Sequence, residues 1–367
     1  MQFFRCARSF STYAAWAQAE FVEYRRERIA GMPEAVRDRY HELLDARHAE
    51  MAAAIDHNQS VCSLVAEIGF AWAEDWGAVG AAGGGGAALA TCDKTAPREF
   101  SYNFVLSTFR QVVREWSALG ADERRDSYGR ICSELQALYP DREQRRNVQV
   151  MCPGCGLGRL PFDIGMLGFH AIGNEHSPAM LFAANFITNG IACENAYEIY
   201  PFVHAFSSHR NAASQLQRVP FPDVDPSSFA RSGGGGGVLS NYVGDFIECC
   251  ARMDPVDVMV TCFFLDATAE IAQTVAAITS VVKPGGKWIN FGPLLWHYES
   301  IRGDVDSSHV GGCEMDLEAV HRLIKGYGWT TTKQSTHSTV YCANPSSMLR
   351  YVYECDFFVA ERGDPCV

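Results

Sequence analysis

Four side chains of this sequence have the type and placing to do chemistry: Glu175, Asp245, Asp266 and His297. Each stands at or just past the end of an apolar run of strand length. A carboxylate in such a place is costly to bury unpaired, so it either caps the next helix or meets a ligand. Glu175 lies nineteen residues after Gly156, a spacing that lets it accept hydrogen bonds from ribose hydroxyls. Asp245 can accept from an adenine amino group while Phe246 packs on the ring, or it can be a turn aspartate satisfied by local backbone. Asp266 follows CFFL directly, and it or Thr268 can begin the following helix. His297 follows PLLW; a lone histidine is commonly structural, but this one converges on the same rim as Asp266. Tyr351 and Tyr353 are two apart, so in a strand both phenols share a face, with Tyr341 in the preceding β-run. Three phenols can cage a flat ring or be ordinary strand tyrosines. Gln111 and Arg114 share a helix face; an arginine there can hold a ligand carboxylate or make a surface ion pair.

The elements that position these residues start from VQVMCPGCGLGRLPFDIGMLGFHAIGNE (148–175). It reads as a buried strand, a turn through Gly154, Gly156 and Gly158, a helix with Pro161 in its first turn, and a second strand ending in Asn174-Glu175. That is one mononucleotide-binding unit. The dinucleotide fingerprint G-x-G-x-x-G needs a third glycine where this chain has Arg159. The turn resembles instead the first motif of class I S-adenosylmethionine-dependent methyltransferases. Cys152-Pro-Gly-Cys155 matches a C-x-x-C spacing, but no second pair follows at zinc-like distance, so no metal site is expected.

Before this unit, residues 14–147 show apolar positions at three- and four-residue steps, interrupted by a Gly/Ala-rich stretch at 77–98 that reads as a loop. After it come a strand run NYVGDFIE (241–248), the strongly apolar VDVMVTCFFLD (256–266), a helix from Thr268 to Val282, and the strand KWINFGPLL (287–295). The glycine run near 231–238 reads as an insertion that cannot specify structure. STVYC and YVYECDFFVA suggest an antiparallel hairpin at one edge. Alternating strands and helices predict an α/β doubly wound sheet, Rossmann-like, over 148–367, with a helical N-terminal region. Ligands bind at the carboxyl ends of such strands, which is where Gly154–Gly158, Glu175, Asp245, Cys262–Asp266 and Pro293–His297 fall.

The chain has 367 residues, 47% hydrophobic and 20% charged, which allows one large domain with an appendage. Its net charge of −12 argues against a phosphate-binding surface, so no nucleic acid is expected. No apolar run has the length of a membrane span. The 14 cysteines sit in apolar runs rather than a framework, which reads as reduced thiols and a cytoplasmic protein. Residues 1–13 read as a flexible terminus, and RCARSFST, basic and acid-free, also resembles a mitochondrial presequence.

Taken together, IDHNQ (55–59), FRQVVREWS (109–117), PGCGLGRL, NFITN, YPFVHAFS (200–207), FPDVDP, TCFFLDAT (261–268), KPGGKWINFGPLLWHY (283–298) and SMLRYVYECDFF (347–358) resemble the carnosine N-methyltransferase family. The resemblance runs from about Gln18 to Phe358, and GPLL-x-H after CFF-x-D is its most specific part. It implies a class I methyltransferase fold, S-adenosyl-L-methionine as cofactor, a histidine-containing dipeptide such as carnosine as acceptor (giving anserine), and a homodimer. It also implies that Gln111, Arg114, Gly154, Glu175, Asp245, Phe246 and Cys262 bind the cofactor, beside Gly156 and Gly158, which the turn itself offers. Asp266, His297, Tyr341, Tyr351 and Tyr353 would hold the imidazole dipeptide, with Asp266 and His297 carrying the chemistry. The family usually has Ala where Cys155 stands, Trp at His176 and Tyr at Val352. A protein histidine or another imidazole metabolite is the alternative acceptor; a non-catalytic scaffold of the same fold is the alternative of a different class.

Overall fold

Four apolar strands with period-two alternation build the core of the sheet. In β1 (Gln149–Pro153), Val150 and Cys152 face one side and Met151 the other. The same split divides Val258 and Val260 from Met259 in β6 (Val256–Cys262). It divides Ile289 and Phe291 from Trp288 in β7 (Val282–Gly292), and Phe357 and Val359 from Phe358 in β9 (Tyr353–Arg362). Both faces are therefore apolar and both need helices. Ile271, Val275 and Ile278 of the Ile271–Val281 helix, with Val320 and Ile324 of the Leu317–Gly326 helix, cover one. Ile131 and Leu135 of the Tyr128–Leu138 helix, with Leu160 and Ile164 of the Arg159–Met166 helix, cover the other.

In the computed structural model, residues 2–82, 102–231, 237–299 and 313–363 are described. With β2 (His170–Glu175), β5 (Val238–Val243) and β8 (Trp329–Thr339), the seven strands run in the order β5-β2-β1-β6-β7-β9-β8. The first five are parallel neighbours, and β9 pairs antiparallel with both β7 and β8. This is the doubly wound sheet with a C-terminal antiparallel pair that the resemblance implies.

Several elements differ from those expected of the sequence. The hairpin's first strand is the polar WTTTKQSTHST rather than STVYC; its side chains are largely exposed, so no apolar alternation marks it. The Lys283-Pro-Gly-Gly stretch is not a helix end before a strand but part of β7, because the Ile271–Val281 helix passes straight into it. The strand expected at 241–248 lies at 238–243, and its beginning abuts the glycine run. Gly237 is sterically required there: a Cβ would stand 2.2 Å from the Gly165 carbonyl oxygen. Residues 232–236 of that run lie outside the described residues, as does the stretch from 83 to 98. Gly/Ala-rich residues 77–82, expected as loop, continue the long Glu34–Ala82 helix.

The chain divides into two compact units, and the boundary is not the linear one expected at 147/148. The sheet unit takes Asp122–Ser177, Ser228–Tyr341 and Tyr351–Val367; the helical unit takes Met1–Ala121, Pro178–Ser227 and Cys342–Arg350. In the helical unit the Gln2–Ser11 helix buries Phe3, Cys6, Ala7 and Phe10, so the terminus expected to be flexible is a packed helix. Gln59 fixes it: its side-chain amide donates to the Phe10 carbonyl (3.1 Å) and accepts from the Ala14 N–H (2.7 Å). Asn58, fully buried, bonds both ways with the Tyr200 backbone (2.7 and 3.1 Å), which joins IDHNQ to YPFVHAFS. Strands β3 (Tyr197–Ile199) and β4 (Val219–Phe221) form a small antiparallel pair in this unit. Among the described residues no helix is long and apolar enough to cross a membrane.

Candidate functional site at the carboxyl edge of the sheet

The turn after β1 is made almost wholly of backbone. Gly154, Gly156 and Gly158 all have positive φ (60°, 58° and 81°), a region that costs an L side chain about 1–2 kcal/mol. Gly158 precedes the Arg159–Met166 helix, and among the described residues nothing lies within 4 Å of where its Cβ would be. Arg159 pairs along its own helix with Asp163 at 2.8 Å. Glu175, 8% exposed, closes the turn from β2: Oε2 accepts from the Gly156 N–H (3.0 Å), and Oε1 accepts from His176 and Ser177 N–H (2.9 and 2.8 Å). A carboxylate has about four acceptor positions. Oε2 thus keeps capacity for a ligand hydroxyl, and the backbone donors hold the group in place. Left-handed glycines, open space at Gly158 and a fixed carboxylate fit a nucleoside whose ribose lies along the turn.

Cys155, the C-x-x-C partner of Cys152, rests over Gly173, where a Cβ would come 2.9 Å from its Sγ. Cys152 is buried in β1, and burial raises its thiol well above the ordinary value.

Asp245 is a helix cap, one of the readings its sequence position allowed: its carboxylate accepts from the Glu248 N–H at 3.1 Å and begins the Phe246–Cys250 helix. Its second oxygen remains an acceptor position. Phe246 is buried in the core, edge-on to Phe264 at 5.4 Å. Asn174, given no site role by its sequence position, braces the same edge. Nearly fully buried, it donates to the Tyr242 and Gly244 carbonyls (3.2 and 2.9 Å) and so fixes the Gly244-Asp245 turn beside Glu175. Its only sequence signal was a polar residue ending an apolar strand.

The end of β6 is a second, different construction. Cys262 ends the strand, and Phe263 follows in the left-handed region (φ 52°). There its N–H donates to the Phe291 carbonyl at 2.9 Å. Phe264 then lies over the glycine turn: a Cβ on Gly154 would stand 2.7 Å from its ring. Asp266, 4% exposed, sits in a single helical turn, Leu265–Ala267. Its Oδ2 accepts from the Leu295 N–H (2.9 Å), and its backbone carbonyl accepts from the His297 N–H (3.0 Å). The loop after β7 is thereby latched to Asp266. Burial raises the Asp266 carboxyl above the ordinary range, opposed by the Leu295 hydrogen bond and the charge of His297. His297 itself is exposed.

The tyrosines divide. Tyr341 and Tyr353 both meet the Phe263 ring, at 4.7 and 6.5 Å between centroids. Tyr351 does not share a strand face with Tyr353, because β9 begins at Tyr353; its side chain is 69% exposed. Gln111 and Arg114 belong to the helical unit, on the Asn103–Trp116 helix. Arg114 is 5% exposed beside Glu115 (3.7 Å), so its ion pair is buried rather than superficial. A groove of about 610 Å³ between Arg210 and Arg350 lies wholly in the helical unit and contains none of the candidate residues. Among the described residues no cluster of His, Cys, Asp and Glu could hold a metal ion.

Residues 92–364 match the family described as carnosine N-methyltransferase. The chain is 37% identical over 266 residues to carnosine N-methyltransferase of Mus musculus, covering 72% of this chain and 64% of that protein. It is 36% identical over 262 residues to the Schizosaccharomyces pombe protein of that name (70% and 69%), and 32% over 260 residues to the Drosophila melanogaster one (70% and 55%). The chain thus spans just under two thirds of the length of the mouse relative.

Proposed function

The chain belongs to the carnosine N-methyltransferase family, and from that premise we propose that it methylates an imidazole nitrogen of a histidine-containing dipeptide such as carnosine, using S-adenosylmethionine. The observation that carries the reading is Asp266, a buried carboxylate latched to the loop that bears His297 at the carboxyl edge of the sheet.

S-adenosylmethionine supplies an electrophilic methyl group. On the protein's side, Glu175 would accept from the ribose hydroxyls, Gly154, Gly156 and Gly158 would let the backbone come close, and Asp245, Phe246 and Cys262 would hold the base. Neutral imidazole is already nucleophilic near neutral pH, so what remains is to aim it and select its tautomer. Asp266 accepts the N–H of the non-reacting ring nitrogen, which turns the other lone pair toward the methyl. As the ring nitrogen takes up the methyl group, positive charge would grow on the imidazole, and the fixed Asp266 carboxylate would stabilise it. Tyr341 and Tyr353, already packed on Phe263, offer faces and phenol oxygens for orienting the dipeptide. A homodimer, implied by the family resemblance, is part of this proposal, and sedimentation at working concentration tests it.

The functional test is transfer of labelled methyl to carnosine, run beside a size-fractionated cell extract. Label entering carnosine supports the proposal. Label confined to macromolecular fractions moves the acceptor to a protein histidine. Binding of the cofactor with no transfer to either contradicts an enzymatic reading.

A further inference from the structure

Two consecutive phenylalanines follow β6, and the chain sends them to different jobs. In a strand, neighbours alternate faces but stay in line. Here Phe263 takes a left-handed backbone (φ 52°), uncommon and strained for a residue with a large side chain. Three features hold it there. Its N–H is bonded to the Phe291 carbonyl (2.9 Å). Its ring packs on Phe291 (5.9 Å), Tyr341 (4.7 Å) and Tyr353 (6.5 Å). The facing residue is Gly292, where a Cβ would press on the Phe263 backbone at 3.2 Å. The kink turns Phe264 onto Gly154 and Phe246, the donor side, and brings Asp266 two residues later to the Leu295–His297 loop.

We propose that Phe263 is a positioning residue for the methyl acceptor: its ring sets Tyr341 and Tyr353, and its left-handed backbone sets Asp266. This rests on the reaction proposed above and adds to it a residue that acts through others. Ring and backbone are separable. Glycine adopts a positive φ freely, so Phe263→Gly removes the ring and keeps the kink; Phe263→Ala removes the ring and keeps the strain.

The test measures KM for carnosine, kcat and S-adenosylmethionine affinity for both variants, with folding checked by thermal melting. Phe263→Gly should raise the acceptor KM roughly three- to tenfold, the worth of a lost aromatic contact, with kcat and cofactor affinity little changed. Phe263→Ala should show the same KM effect and a lower kcat as well, because Asp266 loses its register. An unchanged KM in both folded variants overturns the proposal. Near-UV circular dichroism gives a readout that needs no turnover: Phe263→Gly should lose part of the tyrosine signal that Tyr341→Phe and Tyr353→Phe identify. If the wild-type protein methylates no imidazole, the functional reading fails. An unaltered tyrosine signal would then overturn the ring's role as well.

Discussion

The two halves of the carboxyl edge are built on opposite principles. On the β1–β2 side, three left-handed glycines and a run of N–H groups do the shaping, and Glu175 is held by backbone donors one, two and nineteen residues away in sequence. On the β6–β7 side, shape comes from side chains placed over long separations: the Asp266 carboxylate reaching the Leu295 N–H, and the Phe263 ring packed on Tyr341 and Tyr353. A backbone-made site tolerates side-chain exchange and fails when a Cβ is added; a side-chain-made site does the reverse. The first suits a donor shared by many methyltransferases, the second an acceptor that must be chosen.

The sharpest way to break this contrast is Asp266→Ala. It should cut methyl transfer by about 10²–10³-fold, the range for a fixed group that stabilises charge developing in the transition state, while calorimetry finds S-adenosylmethionine affinity nearly unchanged. Loss of both together would mean that the two halves are one construction. Next come the glycines. Gly154→Ala forces an L residue to φ 60° and drives a methyl group into the Phe264 ring, whereas Gly158→Ala carries only the backbone cost. The first should weaken cofactor binding by about tenfold or more, the second by less, since roughly 1–2 kcal/mol of left-handed strain converts to that scale. Equal effects would remove Phe264 from the donor side.

A smaller effect is the pH dependence. Burial raises the Asp266 carboxyl, and transfer needs it ionised, so the rate should fall as pH drops through that raised value, above the ordinary carboxylate range. His297→Ala removes a charge that holds the value down and should move this acid limb to higher pH. Stability runs the other way. A carboxyl whose folded pKa is raised contributes its stability below the unfolded value and loses it as pH rises through the folded one. Asp266→Asn should flatten that slope in denaturant titrations.

How much could be read beforehand divides along the same line. The glycine turn, Glu175 and the central strands announce themselves through local spacing and period-two alternation, and they lie as expected. Asp266 and His297 were visible as polar residues at strand ends, but their latch through Leu295 was not, because it joins segments 29 residues apart. Tyr351 was paired with Tyr353 by strand periodicity, yet β9 starts two residues too late for that rule to apply. Phe263 gave no signal, since a positive φ on a phenylalanine follows from what surrounds it. The exposed β8 and the packed N-terminal helix were missed in complementary ways: one is polar although it is a strand, the other is short and basic although it is buried.

The most direct measurement is the position of the transferred methyl. With carnosine and labelled S-adenosylmethionine, fragmentation mass spectrometry of the product should place the label on the imidazole ring. A label on the β-alanyl amine, or cofactor turnover that leaves the dipeptide unmethylated, would contradict a site built around Asp266 to aim an imidazole nitrogen.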